Sequence, residues 1–267
     1  MVYHQGSLKL SYWFGLIALL CSCSDTQQPS GTENELLSAD SLPPLFQQML
    51  EAHGGLEKWK QMQLLEFDLY SDTTWVDHQI VDLGSRKVLI RNDEYAIGYD
   101  GNNVWYTGEE KNLSGESARF YHNLQFYFFA LPFVLADPGV VYEQLEARSF
   151  QGKTYDVMRF TYESEVGDSP KDEYIIYINP ETHQMELLLY TVTYFSGVES
   201  DDYGARLYSE WQWVNGLLVP LTSERYSWAG DSLGELRYAS SYRKVNMEER
   251  SPDQAMFLQP NDALVSD

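Results

Sequence analysis

The chain has 267 residues, and its 40 acidic residues against 18 lysines and arginines give a formal net charge of -22 at pH 7. A charge of this sign repels phosphate groups, so we expect no nucleic-acid partner. Both cysteines, Cys21 and Cys23, lie near the N terminus, so the body of the chain cannot form an internal disulfide. Its fold therefore has to be held by a hydrophobic core, for which a chain of this length suffices.

The first residues form a short apolar segment with a positive flank. Tyr12 to Leu20 are uninterrupted by charge, Lys9 precedes them, and no acidic residue occurs before Asp25. This pattern is typical of a secretory signal peptide and is too short to span a bilayer. We predict a signal peptide over residues 1–22.

The end of this segment, Leu20-Cys21-Ser22-Cys23, resembles the lipobox of bacterial lipoproteins. On this interpretation Cys23 is lipidated and anchors the protein to the membrane, whereas Cys21 leaves with the signal peptide. Ser24 after the anchor favours the outer membrane, with the protein facing the periplasm or the cell surface. A cleaved signal peptide without lipid, or an N-terminal disulfide, remains the alternative.

The region after the anchor changes from polar to periodic. Residues 23–40 are rich in Gln, Ser, Thr and Glu and predict a flexible tether. From residue 41 the text "SLPPLFQQMLEAHGGLEKWKQM" predicts two short helices, the first ended by Gly54-Gly55. We assign residues 41–267 to a single domain.

Alternation with a period of two begins at Leu64 and predicts antiparallel strands. Asp100-Gly101 and, later, Asn215-Gly216 are pairs that favour tight hairpins. Between them, "GESARFYHNLQFYFFALPFVLADPG" predicts a helix that is apolar all round and is interrupted at Pro132. Such a helix is either buried or covers an apolar opening.

Strands resume after this helix and continue almost to the end of the chain. In "MELLLYTVTYF" both faces of the predicted strand carry apolar residues, which indicates that both faces are covered. We therefore predict an α+β fold, a strongly curved antiparallel half-barrel of about ten to twelve strands with helices covering its concave side.

Four stretches carry a resemblance to a known family: "AHGGLEKWKQMQLLEFDLY", "YDGNNVWY", "FYHNLQFYFFALPFVL" and "EWQWVNGLLVP". They resemble an uncharacterised family of Gram-negative lipoproteins related to the periplasmic lipoprotein carriers (LolA/LolB-like). The resemblance implies an incomplete β-barrel whose open side is closed by helices over an apolar hollow that holds acyl chains in the carriers.

The motifs of common hydrolases, P-loop proteins and calcium loops are absent from the sequence, and we expect no metal or other cofactor. Ser241 and Lys244 have the spacing of a serine–lysine hydrolase, but they fall in an alternating segment that favours a strand. His53 is expected to contact the last carbonyls of its helix. Pairs of acidic residues are too frequent to indicate a glycosidase.

The abundance of aromatic residues admits three interpretations: an aromatic core, a cavity lining or a carbohydrate-stacking surface. We predict a non-enzymatic protein that binds an acyl chain or a lipidated peptide in an apolar cavity. The predicted lining residues are Phe120, Leu124, Phe128, Phe133, Leu188, Tyr190, Trp211 and Trp213. The alternatives are a glycan-binding or glycan-processing lipoprotein with Trp75, Trp105 or Trp228 exposed, and a partner-binding scaffold without a ligand.

Overall fold

The computed structural model describes residues 38–109, 117–163 and 167–266. Contacts between residues divide the chain into two units, Met1–Thr32 and Glu33–Asp267, and all the described residues belong to the second. The predicted signal peptide and Cys23 lie outside the described residues. None of the helices in the described part is long and apolar enough to cross a membrane.

Three α-helices occur in the described residues: α1 (Pro44–Ala52), α2 (Leu56–Gln61) and α3 (Ala118–Ala130). Three short 3-10 helices lie at Ala39–Ser41, Phe133–Ala136 and Gln254–Phe257. The break between α3 and the second of these 3-10 helices falls at Leu131-Pro132, as the interrupted pattern predicts.

The strands form one antiparallel sheet. Their bounds are β1 (Leu64–Ser71), β2 (Thr74–Asp82), β3 (Val88–Arg91), β4 (Ala96–Tyr99), β5 (Val104–Thr107), β6 (Val140–Phe150), β7 (Lys153–Tyr162), β8 (Tyr174–Ile178), β9 (Met185–Tyr190), β10 (Gly204–Val214), β11 (Leu217–Ala229), β12 (Ser232–Glu248) and β13 (Leu264–Val265). The order across the sheet is β13-β5-β4-β3-β2-β1-β12-β11-β10-β9-β8-β7-β6, so β13 and β6 are edge strands and the sheet is not closed.

Within the described ranges the sheet has thirteen strands, against the ten to twelve that alternation predicts. The two strands that the pattern misses are β6 and β13. The residues of β6 are largely exposed because it is an edge strand, so it has little alternation, and β13 has only two residues. The predicted hairpins are present: Asn215 and Gly216 both have positive φ and join β10 to β11.

One face of the sheet, which we call the helix face, packs on the helices in a single large core. Phe46 of α1 contacts Tyr142 of β6 and Phe160 of β7, with ring centroids 5.4 and 5.2 Å apart. Trp59 of α2 stacks on Phe133 at 4.7 Å. Helix α3 packs on β3, β4, β5 and β11. The helices are thus held by aromatic contacts to strands that are distant in sequence.

Strand β9 is covered on both faces, as its apolar sequence predicts. Leu188 and Tyr190 belong to the core on the helix face, whereas Leu187 and Leu189 belong to a second core on the opposite face. That second core is covered by the ends of other strands, where Phe150 at the end of β6 lies 6.0 Å from Trp228 of β11. A helix therefore covers β9 on one side only.

The C-terminal segment covers the opposite face of the first strands. Phe257 packs with Ile80, Leu89 and Trp105, and the Trp105 indole N–H donates to the Phe257 carbonyl at 3.0 Å. The indole also lies over Gly98, where a Cβ atom would come within 2.1 Å of its ring. Glycine is required there because the tryptophan has no room to move aside.

Candidate ligand-binding cavity

Helix α3 provides one wall of a cavity. Its first turn is capped by Ser117, whose hydroxyl accepts a hydrogen bond from the Phe120 backbone N–H at 3.1 Å. Most of its residues are buried, including Phe126 and Phe129. Phe120, Leu124 and Phe128, which are spaced by four residues, lie along the stripe that faces the cavity.

The cavity has a volume of about 400 Å³, within the range of small-molecule sites. Aromatic and aliphatic side chains from four strands, a loop and α3 form its apolar walls: Tyr99, Val104, Phe120, Leu124, Tyr127, Phe128, Tyr162, Tyr174 and Tyr194. Asn102 and Asp168, which are exposed, lie at its rim, so the cavity opens to solvent.

Two ion pairs fix the positive charges that border the cavity. Arg86 donates two hydrogen bonds to Asp137, at 2.7 and 2.9 Å, and both side chains are largely buried. Arg119 pairs with Asp168 at 2.8 Å nearer to solvent. Burial raises the pKa of Asp137 to about 6, although Arg86 opposes the shift. Each of these cations is thus neutralised locally by its own carboxylate.

Two tyrosines that face the cavity, Tyr162 and Tyr174, are kept neutral by burial. Burial raises the pKa of Tyr162 and of Tyr174 well above the ordinary value, and neighbouring phenols add to the shift. Their rings lie 6.1 Å apart in an edge-on arrangement. Their hydroxyls therefore offer neutral hydrogen-bonding groups on an otherwise aromatic wall.

The loop between β9 and β10 borders the opening. Tyr194 and Phe195 contact Phe120 with ring centroids 5.3 and 4.9 Å apart. Phe195 is 52% exposed and Val198 is 58% exposed. The sequence predicts a strand through this region, but β9 ends at Tyr190, and the residues that follow form this loop. Apolar side chains are thus presented to solvent beside the cavity.

The space next to the C-terminal half of α3 is filled by the protein itself. Phe129 is fully buried, stacks on Phe67 of β1 at 5.0 Å and meets Tyr242 of β12 edge-on at 5.2 Å. Phe133 is fully buried beneath Trp59. The open volume therefore lies along the face of α3 that carries Phe120, Leu124 and Phe128, whereas the face that carries Phe129 is packed against the sheet.

The structure brings three of the eight predicted lining residues to the cavity: Phe120, Leu124 and Phe128. Leu188 and Phe133 are fully buried in the core, and Tyr190 is buried against Phe128 with ring centroids 5.0 Å apart. Trp211 is half-buried against Tyr208 and His53, and Trp213 is 65% exposed. That any of these residues binds a ligand stays a prediction.

Sequence reasoning missed the cavity residues contributed by strands. Tyr162 and Tyr174 lie on β7 and β8, and Tyr99 lies on β4. Alternation alone assigns Tyr174 to the same face as Ile176, which is buried on the helix face. The pairing of distant strands, which brings that face to α3, has no local signal in the sequence.

The tryptophans of the glycan-binding alternative are dispersed. Trp75 is 37% exposed, Trp105 is buried beneath the C-terminal segment, and Trp228 packs in the core of the opposite face. The three side chains belong to separate parts of the sheet, so they do not form a common stacking platform.

The residues weighed for catalysis are held in structural contacts. Ser241 and Lys244 lie on β12, as predicted, and the Lys244 ammonium binds Asp68 at 2.8 Å. His53 is fully buried, and its Nδ1 lies 3.1 Å from the carbonyl of Leu218 on β11 rather than against its own helix. No cluster that could hold a metal ion occurs among the described residues.

The protein is thus of the α+β class. An open antiparallel sheet packs on a few helices, and an aromatic cavity lies beside α3. Residues 68–208, more than half of the chain, match a family of unknown function, DUF6503. The chain belongs to this family, so the predicted membership of an uncharacterised family is confirmed. The sequence matches no curated protein.

Solved structures similar to the chain include LolA superfamily proteins, as the sequence resemblance implies. A LolA superfamily protein from Nitrosomonas europaea is 13% identical, with a TM-score of 0.47 over 80% of this chain and 97% of that one. A DUF1329 family protein from Desulfovibrio piger is 11% identical, with a TM-score of 0.46 over 79% of this chain and 97% of that one. At these values the likeness says nothing about ligands or partners.

Proposed function

We propose that this protein is a non-enzymatic, lipid-anchored envelope protein that binds an apolar ligand, an acyl chain or the acyl group of a lipidated peptide. The observation that carries the proposal is the cavity of about 400 Å³ beside Phe120, Leu124 and Phe128. Its concave aromatic walls suit an alkyl chain, because burial of each methylene contributes about 0.8 kcal/mol.

The contacts of α3 support a curved sheet with this helix on its concave side. The helix packs on β5, and Phe128 also contacts Tyr190 of β9. From β5 through β4, β3, β2, β1, β12, β11 and β10 to β9 there are eight spacings. They would span about 38 Å in a flat sheet. A helix of 13 residues is only about 20 Å long. A sheet that wraps around α3 accounts for both contacts.

The apolar loop beside the cavity supports exchange of a ligand with a lipid surface. Phe195 and Val198 are exposed next to Phe120, whose ring borders the opening. A membrane or an acylated partner that meets this loop would offer its chain to the cavity with little exposure to water.

A purely binding role is supported by the contacts of the residues that could otherwise act in catalysis. Burial lowers the pKa of His53 to about 4, although the Leu218 carbonyl opposes the shift, so the imidazole is neutral at physiological pH. Lys244 binds Asp68 instead of activating Ser241. The fold and cavity suffice for a carrier or receptor.

Filling the cavity tests the proposed binding. Leu124→Trp places a larger side chain on the cavity wall, and we expect it to weaken binding of a fluorescent fatty acid by about tenfold or more, because several methylenes lose their burial. Leu236→Trp is the matched control, since Leu236 is 48% exposed on β12. Fluorescence titration measures both variants, and native mass spectrometry of the purified full chain detects co-purified lipid.

Equal affinities of Leu124→Trp and the wild-type protein would place the ligand elsewhere. Absence of both co-purified lipid and fatty-acid uptake would contradict the binding role and leave a partner-binding scaffold, which crosslinking in the envelope would reveal. Binding to a glycan array without lipid would instead support the glycan alternative.

The anchor has its own test. Because lipidation requires the thiol of Cys23, palmitate labelling of the full chain should be lost in Cys23→Ala and retained in Cys21→Ser. The Cys23→Ala variant should also leave the membrane fraction. Labelling that persists in Cys23→Ala would refute the proposed anchor without bearing on the cavity.

A further inference from the structure

A buried arginine lies directly behind one wall of the cavity. Arg206 of β10 is fully buried on the helix face, and its guanidinium carbon lies 3.9 Å from the centre of the Phe128 ring. It donates to the Ser223 hydroxyl at 2.8 Å and to the Tyr238 hydroxyl at 3.1 Å. Its Nε has no hydrogen-bond partner. All of its contacts are to neutral groups.

A second arginine stands opposite the first. Arg225 of β11 pairs in register with Arg206, and Tyr238 of β12 follows in the same row. The Arg225 guanidinium lies 5.7 Å from the Tyr238 ring, and its Nε is also buried without a partner. Arg225 is half-buried, so it can be reached from solvent. Neither arginine forms an ion pair with a carboxylate of the described residues.

This arrangement is unfavourable in the absence of an anion. Like charges directly opposite on neighbouring strands repel each other, and a buried cation without a counter-charge is costly. The chain has 40 acidic residues, and it neutralises buried Arg86 with Asp137. A partner of opposite charge is therefore expected at Arg206 and Arg225 as well, and it has to come from outside the described residues.

The arginine pair adjoins the cavity through one side chain. Phe128 lines the cavity, and the Arg206 guanidinium lies over its ring. The backbone of Phe128 is held by the Tyr208 hydroxyl, which donates to its carbonyl at 2.8 Å. Displacement of the Phe128 ring would therefore uncover the guanidinium that lies against it.

We propose that Arg206 and Arg225 bind the anionic group, a carboxylate or a phosphate, of an amphiphile whose apolar chain occupies the cavity. The placement of the ligand's apolar chain in the cavity rests on the proposed function, whereas the anion site rests on the arginine pair. Guanidinium groups hold planar oxyanions through paired hydrogen bonds, and both arginines have an unused N–H. Arg225 receives the anion from solvent, and Arg206 completes the site when Phe128 turns aside.

Two ligands with the same chain test the site: palmitate and its uncharged alcohol at neutral pH. We expect the wild-type full chain to bind palmitate about tenfold to a hundredfold more tightly than the alcohol, the range of a charged hydrogen bond. Arg225→Gln should abolish this preference. Arg243→Gln, an exposed substitution on β12, is the matched control and should retain the preference. Arg225→Lys should recover part of it.

Equal binding of acid and alcohol by the wild-type protein, or an undiminished preference in Arg225→Gln, would overturn the proposed anion site. Inorganic phosphate separates this inference from the proposed function. If neither amphiphile binds but phosphate raises the Tm of the wild-type protein and not of Arg225→Gln, the anion site stands for free phosphate and the acyl-binding function fails. If phosphate is also without effect, both fail.

Discussion

Replacing Phe129 with alanine is expected to lower the free energy of unfolding by about 3–5 kcal/mol, the largest effect we predict for a single side chain. Phe129 has no exposed surface and joins α3 to the middle of the sheet through Phe67 and Tyr242. Its loss leaves a void beside Phe67 and Tyr242, which cannot move in to fill it because β1 and β12 are paired in the sheet. Urea unfolding of the full chain measures the change.

Phe195→Ala is the matched control for this experiment. Phe195 is 52% exposed and contacts the rings of Phe120 and Tyr194 beside the cavity, so its replacement should change stability by about 1 kcal/mol or less. Similar losses for the two variants would mean that the packing at Phe129 does not hold α3 on the sheet.

The second large effect concerns pH. His53 is buried as a neutral base: its Nδ1 faces the Leu218 carbonyl at 3.1 Å, and its Nε2 accepts the Met185 backbone N–H at 3.3 Å. Burial lowers the pKa of His53 to about 4 from the model-compound value of 6.5. Between these values the unfolded chain takes up a proton that the folded protein excludes, so this residue makes stability fall as the pH falls.

We expect the wild-type protein to lose about 2 kcal/mol more than His53→Gln when the pH is lowered from about 7 to about 5. Asp77 and Asp137, whose pKa burial raises to about 6, act in the opposite sense, because the folded protein binds their protons more readily. Both aspartates are present in both proteins, so the difference isolates His53. Unfolding free energies at the two pH values provide the measurement.

Parallel pH profiles for the wild type and His53→Gln would show that His53 takes up its proton as readily in the folded protein as in the unfolded chain. The variant should be less stable at neutral pH, since glutamine cannot reproduce both ring contacts. Its affinity for the proposed ligand should be unchanged, because His53 does not line the cavity.

A filled core and an open cavity coexist along one helix, and this division bears on function. One face of α3 is held on the sheet by Phe129, which leaves the face with Phe120, Leu124 and Phe128 free to line an open space. A rigid attachment on one face of the helix and an accessible wall on another suit the proposed binding of a ligand.

Much of the fold follows from local patterns in the sequence. Alternation located eleven of the thirteen strands, Asn215-Gly216 marked its hairpin, and Pro132 marked the end of α3. The apolar residues on both sides of β9 indicated its two-sided burial. These features are set by residues close in sequence, through backbone preferences and side-chain periodicity.

Which residues line the cavity depends on contacts between residues that are far apart in the chain. Five of the eight predicted lining residues are absent from the cavity wall, because apolar character does not distinguish a packed side chain such as Leu188 from one beside open space such as Leu124. Arg206 and Arg225 lie 19 positions apart and meet only through the register of β10 with β11. By itself the sequence therefore determined which segments are strands and helices. The tertiary structure alone decided where the core stays open and which charges face each other, since both depend on strand pairing and on how α3 packs against the sheet.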